Sequence, residues 1–240
     1  IHLSPADECR WMMFDHGGLM WLGTNSGLKS WDGYDFHNFR STAFSPGILP
    51  NNTVLSITED YNKILWLGTR NGLARFDMKT RSFNTLFIEG DSYRTIYTLY
   101  TSTDGTVWIG TDGGLTRYDE KTHKFDTYTE KNSIYLDSDG KKSADRHISV
   151  KSIIDDGHGN LYLGTWSDGV LIFNPKKRTF QRYEKINNFN SAYSLHLDSK
   201  GRLWIGSWSE GLQMIPNPEQ GPRAEHLNIT INATGFNTFY

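Results

Sequence analysis

One phrase recurs five times along this chain, and its spacing restricts the fold more than any other feature of the sequence. It reads Trp21-Leu22-Gly23-Thr24, Trp66-Leu67-Gly68-Thr69, Trp108-Ile109-Gly110-Thr111, Tyr162-Leu163-Gly164-Thr165 and Trp204-Ile205-Gly206-Ser207, with the leading aromatics 45, 42, 54 and 42 residues apart. A second signal follows each copy, at Gly27-Leu28, Gly72-Leu73, Gly114-Leu115, Gly169-Val170 and Gly211-Leu212. Four copies then continue with an aromatic and Asp or Asn, at Trp31-Asp32, Phe76-Asp77, Tyr118-Asp119 and Phe173-Asn174, whereas the fifth has Ile215-Pro216. Upstream stands a run of period two, such as Val54-Leu55-Ser56-Ile57, Val150-Lys151-Ser152-Ile153 or Ala192-Tyr193-Ser194-Leu195. A polar turn such as Thr103-Asp104-Gly105 or Asp198-Ser199-Lys200-Gly201 separates that run from the aromatic.

Each unit therefore reads strand, turn, strand, Gly turn, strand, turn, strand. In Leu65-Trp66-Leu67 large side chains alternate onto both faces of a strand, as a sheet packed between two neighbours requires. The glycine inside the phrase is expected to let the strand end in a turn, and the next glycine to open the following strand from positive φ. Such a sheet is apolar on both faces and needs stacked copies of itself, which predicts an all-β chain built as a β-propeller of four-stranded antiparallel blades. Composition agrees, with 14% aromatic residues and 23 glycines in 240. The expected blades are 1–44, 45–88, 89–132, 133–186 and 187–236. Asn52-Thr53-Val54-Leu55 and Asn190-Ser191-Ala192-Tyr193 open two blades, and Asn237-Thr238-Phe239-Tyr240 at 237–240 reads as the start of a sixth, within a propeller expected to have seven.

Lys and Arg number 25 against 27 Asp and Glu, and no basic cluster gathers that would bind a phosphate backbone, so no nucleic acid partner is expected. The single cysteine, Cys9, has no partner for an internal disulfide and no ligand neighbours at metal spacing, so neither a metal nor a cofactor is expected. The apolar runs are strand-sized, and any membrane association is expected only through parts outside this sequence.

Val107-Trp108-Ile109-Gly110-Thr111-Asp112-Gly113-Gly114-Leu115-Thr116-Arg117-Tyr118-Asp119 and its four companion copies resemble the two-component regulator propeller repeat along nearly the whole chain. Tyr162 in place of Trp, Cys9-Arg10-Trp11-Met12 in the first copy and the missing aromatic-Asp pair in the fifth depart from the pattern. The resemblance implies the periplasmic sensor portion of an inner-membrane hybrid histidine kinase and response regulator, of the kind with which gut bacteria detect polysaccharide breakdown products. It also implies an oligosaccharide ligand and a homodimer. No kinase residues are present, so the segment is not expected to be an enzyme.

Two adjacent blades carry a tryptophan, Trp166 and Trp208, where the others have Asn25, Arg70 and Asp112. Propeller geometry predicts that Trp166, Trp208, Asp168 and Glu210 gather on one rim with Tyr93, Arg94 and His147. Aromatic faces with carboxylates and Arg suit a sugar, which offers C–H faces and hydroxyls. The alternative is that the two tryptophans wedge between blades as packing.

Other motifs carry less. The polar insertion from Ser133 to Asp145 holds Asp137-Ser138-Asp139-Gly140, but a calcium loop from Asp137 would need Glu where Ile148 stands. Ser207-Trp208-Ser209-Glu210-Gly211 lacks nucleophile-elbow spacing. Asn51, Asn228 and Asn232 match a glycosylation phrase too short to carry weight. A carbohydrate-active enzyme would need two carboxylates about 5 to 9.5 Å apart, for which Asp168 and Glu210 are the candidates; a protein-interaction scaffold is the third reading.

Overall fold

The structure, a computed structural model, describes residues 7–45, 47–129, 131–143, 147–184, 191–208 and 211–229. It is all-β, with strands in five sheets of propeller-blade type. Blade one holds β1 (Cys9–Phe14), β2 (Met20–Thr24), β3 (Gly27–Trp31) and β4 (Phe36–Phe39). Blade two holds β5 (Val54–Glu59), β6 (Ile64–Thr69), β7 (Gly72–Asp77) and β8 (Ser82–Leu86). Blade three holds β9 (Ile96–Thr101), β10 (Val107–Thr111), β11 (Gly114–Asp119) and β12 (Lys124–Tyr128). Blade four holds β13 (Ile134–Leu136), β14 (Val150–Asp155), β15 (Leu161–Thr165), β16 (Val170–Asn174) and β17 (Thr179–Arg182). Blade five holds β18 (Ser194–Leu197), β19 (Leu203–Gly206), β20 (Leu212–Ile215) and β21 (Leu227–Ile229). No helix among the described residues is long and apolar enough to cross a membrane. The expected sixth-blade start at 237–240 lies outside the described residues.

The chain forms two compact units, Ile1–Thr111 with Arg117–Asp126, and Asp112–Thr116 with Thr127–Tyr240, the boundary falling within blade three. In the first unit, a carboxylate six residues ahead of the phrase tryptophan organises each of the first two blades. Asp60 Oδ1 accepts the backbone N–H groups of Asn62 and Ile64 at 2.9 and 3.0 Å, while Oδ2 accepts the Trp66 indole N–H at 2.8 Å. Asp15 treats Gly17, Leu19 and Trp21 in the same way. One side chain thus fixes the β-turn and holds a buried indole at a set depth.

The tryptophans so held fill the space between blades. Trp21 meets Phe76 of blade two edge-on, with centroids 5.7 Å apart, inside a cluster with Phe39 and Phe83. Trp66 is fully buried and lies 4.9 Å from Tyr118, with the Arg75 guanidinium 4.7 Å from the indole centroid. Gly68 departs from its sequence-based explanation. It lies inside β6 rather than at a turn, and a Cβ there would stand 2.4 Å from Ser56 Oγ and 2.7 Å from Ile96 Cγ2 of the next blade. The phrase needs glycine because the neighbouring inner strand crosses at that point. Gly72, by contrast, opens β7 at φ 109°, the turn conformation expected of it.

The second unit repeats these devices with changes. Asp198 Oδ1 accepts from Lys200 and Arg202, and its Oδ2 accepts the Trp204 indole N–H at 2.9 Å. That indole bond, together with Arg202, holds the Asp198 carboxyl below the usual aspartate range. Its support is therefore complete at neutral pH and is lost as pH falls through the depressed pKa. Blade four differs from the four-stranded expectation. Part of the insertion forms β13, which pairs parallel to β17 through Ile134↔Thr179, Tyr135↔Phe180 and Leu136↔Gln181. Buried Tyr135 anchors this added edge, and Asp137 closes the following turn by accepting from Asp139 and Lys141.

Replacing Asp60 by Ala leaves the Trp66 N–H buried without its acceptor, and should cost about 1–3 kcal/mol of stability. Chemical denaturation of the variant against the parent chain measures this; an unchanged midpoint would show that the clamp contributes nothing.

Candidate functional site

The same irregularity interrupts the inner strand of successive blades. Pairing skips one residue between Cys9 and Trp11, between Val54 and Ser56, and between Val150 and Ser152, leaving Arg10, Leu55 and Lys151 as bulged residues. A skip from Thr98 to Ile96 does the same for Tyr97. In blade five pairing opens at Ser194↔Gly206 and Tyr193 stands just before it. A bulge re-aims its side chain, and here the target is the loop after the second strand. Arg10 Nε donates to Asn25 Oδ1 at 3.2 Å, Lys151 Nζ lies 6.0 Å from the Trp166 centroid, and the Tyr193 ring lies 5.6 Å from that of Trp208.

That loop differs in length between blades. Between phrase and glycine stand two residues in the first three blades, Asn25-Ser26, Arg70-Asn71 and Asp112-Gly113, but three in blades four and five, Trp166-Ser167-Asp168 and Trp208-Ser209-Glu210. The wider loops close through Thr165 N–H to Gly169 O and Ser207 N–H to Gly211 O, each at 3.0 Å. Within the second unit they bring Trp166 and Trp208 together, with centroids 6.0 Å apart and planes at 58°. Tyr193 completes the group at 6.3 Å from Trp166. These tryptophans are 48% and 41% exposed, against 0% for Trp66. The two rings pack against each other across adjacent blades and remain about half exposed.

A polar border lies beside the rings. Ser149 Oγ donates to Asp112 Oδ1 at 2.6 Å, and Lys151 Nζ donates to the same oxygen at 2.9 Å. The Lys151 side chain is 7% exposed and that of Asp112 43%. Burial pushes the Lys151 ammonium below the usual lysine range, and the Asp112 carboxylate opposes the shift. The Trp166 backbone N–H donates to Ser149 O at 3.1 Å, which ties this loop to the border.

The remaining expected residues are placed differently. Asp168 is 3% exposed rather than presented on the rim. Its N–H donates to Thr165 Oγ1 and its carboxylate stands 3.9 Å from Arg182 Nη1, so the three-residue loop folds it inward as a structural anion. Glu210 lies outside the described residues. His147 is exposed on the approach to β14. Tyr93 and Arg94 belong to the first unit, at a single 3₁₀ turn (Asp91–Tyr93) where Arg94 pairs with Asp91 at 2.9 Å. Among the described residues, no group of His, Cys, Asp and Glu is disposed to hold a metal ion.

Three segments, 48–71, 90–113 and 188–209, match the family described as two component regulator propeller. Those three segments carry the two component regulator propeller repeat. The matched segments 48–71 and 90–113 each run from before an inner strand into the loop after the second strand, and so contain both a bulged residue and its loop, Leu55 with Arg70 and Tyr97 with Asp112. The third contains Tyr193 and Trp208. Of the site residues, Asp112, Tyr193 and Trp208 lie in matched segments, whereas Ser149, Lys151 and Trp166 of blade four lie outside them.

A sequence comparison with curated proteins finds no match. Among solved structures, the extracellular domain assigned to the one component system BT4673 of B. thetaiotaomicron aligns over 98% of this chain and 35% of its own, at 21% identity and TM-score 0.63. The extracellular domain assigned to the hybrid two component system BT3049 of the same organism aligns over 99% of this chain and 38% of its own, at 18% identity and TM-score 0.60. Virginiamycin B lyase from Staphylococcus aureus aligns over 96% of this chain and 73% of its own, at 12% identity and TM-score 0.72. At these identities the likeness is one of fold, and the chain spans little more than a third of the two B. thetaiotaomicron structures.

Exposure separates the two kinds of tryptophan energetically. Trp66→Ala should cost about 3–5 kcal/mol, the usual range for a fully buried large ring, whereas Trp208→Ala should cost less than half of that. Equal losses in chemical denaturation would return Trp208 to the core.

Proposed function

We propose that this chain is part of the periplasmic, ligand-sensing region of a hybrid two component system, and that the face bearing Trp166, Tyr193 and Trp208 binds an oligosaccharide. The carrying observation is the half-exposed aromatic cluster set against the Lys151–Asp112–Ser149 border. Pyranose C–H faces stack on indole and phenol rings, and sugar hydroxyls take hydrogen bonds from an ammonium and give them to a carboxylate. Exposed rings already ordered by neighbouring rings lose little freedom on binding. The extracellular origin of two similar structures, and the two component regulator propeller repeats, support placing this module outside the cytoplasm. The five blades would then form part of a larger sensor, in a propeller of seven blades.

A catalytic reading draws on the likeness to virginiamycin B lyase. It has less support, because a hydrolase of glycosides commonly needs two carboxylates facing its substrate and Asp168 is turned into the loop beside Arg182.

Calorimetric titration of the chain with a panel of oligosaccharides, with product analysis of the same mixtures, tests both readings. Binding without turnover is expected, and Trp166→Ala or Trp208→Ala should raise Kd at least tenfold, a loss of about 1.4 kcal/mol or more. Turnover would replace the sensor reading with the enzyme, and binding insensitive to both substitutions would remove the aromatic face as its site.

A further inference from the structure

Two ion pairs flank the aromatic cluster. Lys151 Nζ shares Asp112 Oδ1 with the Ser149 hydroxyl, and Arg182 Nη1 stands 3.9 Å from Asp168. The cation nearest the Trp166 ring is therefore matched by a carboxylate 2.9 Å away. An anionic group approaching that ring meets the Asp112 charge together with the Lys151 charge, and the two nearly cancel at the distance of a bound sugar. It also meets the electron-rich faces of the rings, whose quadrupoles favour C–H groups and cations over anions. To capture Lys151 outright, it would have to displace Asp112 from a partner that is largely buried, leaving a carboxylate without its counter-charge. A neutral polyol meets none of these penalties. Its hydroxyls accept from an ammonium with three N–H donors and donate to a carboxylate with several lone pairs, without disturbing the pair.

We infer that this face selects uncharged oligosaccharides over uronate-bearing or sulfated ones, with the Asp112–Lys151 pair as the selectivity element. The inference rests on the reading of the aromatic face as a sugar site. Asp112 and Lys151 then act as specificity-determining residues, supplied by one two-residue loop and one inner strand.

The test is calorimetric titration of the 240-residue chain with cello-, xylo-, manno- and galactotetraose, and with tetragalacturonate and a sulfated heparin tetrasaccharide. At least one neutral tetrasaccharide should bind in a manner weakened tenfold or more by Trp166→Ala, and both anionic ones should bind at least tenfold more weakly than it. Asp112→Asn should raise the affinity for tetragalacturonate at least tenfold relative to the neutral ligand. Near-UV circular dichroism shows whether that variant is folded; where it is not, the ratio in the parent chain decides. Trp166-dependent binding of an anionic tetrasaccharide as tight as that of the neutral ones overturns the selectivity and leaves the sugar face standing. An unchanged ratio in folded Asp112→Asn overturns the role of the pair. An absence of Trp166-dependent binding by every probe overturns the sugar face and the selectivity with it.

Discussion

The carboxylate six residues ahead of the phrase tryptophan is the interaction on which blades one, two and five depend. It accepts two backbone N–H groups and one indole N–H, and so couples the geometry of a turn to the depth of a ring in the core. Neither function would be well served alone. A turn without the indole would leave the buried Oδ2 acceptor without its donor, and an indole without the turn would have no fixed acceptor. Where the aromatic changes, the partner changes with it. In blade four, Asp156 stands six residues ahead of Tyr162, which has no indole N–H, and its Oδ2 takes the Asn160 side-chain amide at 2.6 Å instead. In blade three, Ser102 occupies the carboxylate position, and the turn is closed by Asp104, which accepts from Ser102 Oγ and from the Thr106 N–H. The carboxylate in that turn has moved two residues along the chain, and Asp104 is held below the ordinary aspartate range chiefly by the Ser102 hydroxyl.

With the rings fixed, the glycine of the phrase sets how closely blades approach. Gly68 leaves room for Ser56 and Ile96, and in the second unit Gly164 leaves room for the Ala192 carbonyl, which a Cβ would meet at 2.6 Å. This approach seats the start of one inner strand against the second strand of the preceding blade, and the bulge lies at that start. The feature that brings blades together therefore also places the bulged side chain beside the loop. In this sense the aromatic face is a consequence of the packing, and its chemistry is set by which residues fill those two positions.

Much of this was legible in the sequence. The period, the strand order within a blade, the positive-φ glycine at Gly72 and the pairing of Trp166 with Trp208 all follow from residue types at fixed offsets. The role of Gly68 was not legible, because a glycine that admits a neighbouring strand looks the same as one that turns. Lys151 was hidden for a related reason. Period-two alternation assigns each residue to one face, and a bulge shifts that assignment without leaving a residue-type signature. One signal was present and unread. The phrase-to-glycine interval grows from two residues to three in the Trp-bearing loops, and that added residue turns Asp168 inward. The parallel pairing of β13 likewise depends on a non-local contact with β17 that no local pattern encodes.

The two classes of tryptophan show how one repeat holds one ring in the core and leaves another half exposed. A phrase tryptophan such as Trp66 has its N–H satisfied by an aspartate and its ring covered by the adjacent blade, so any exposure would be a loss. A loop tryptophan is anchored through its backbone, Trp166 to Ser149 O and Trp208 to Ser191 Oγ, and leaves its ring half uncovered. Exposed indole is unfavourable in water, and nothing in the blade requires it, since Asn25 and Arg70 close the shorter loops of the first unit with polar side chains. Three such rings gathered within about 6 Å of one another keep part of their surface dry through mutual contact and leave the rest ordered and open. Burial is thus forgone at two adjacent blades while ring order is retained, the arrangement on which the proposed sugar face rests.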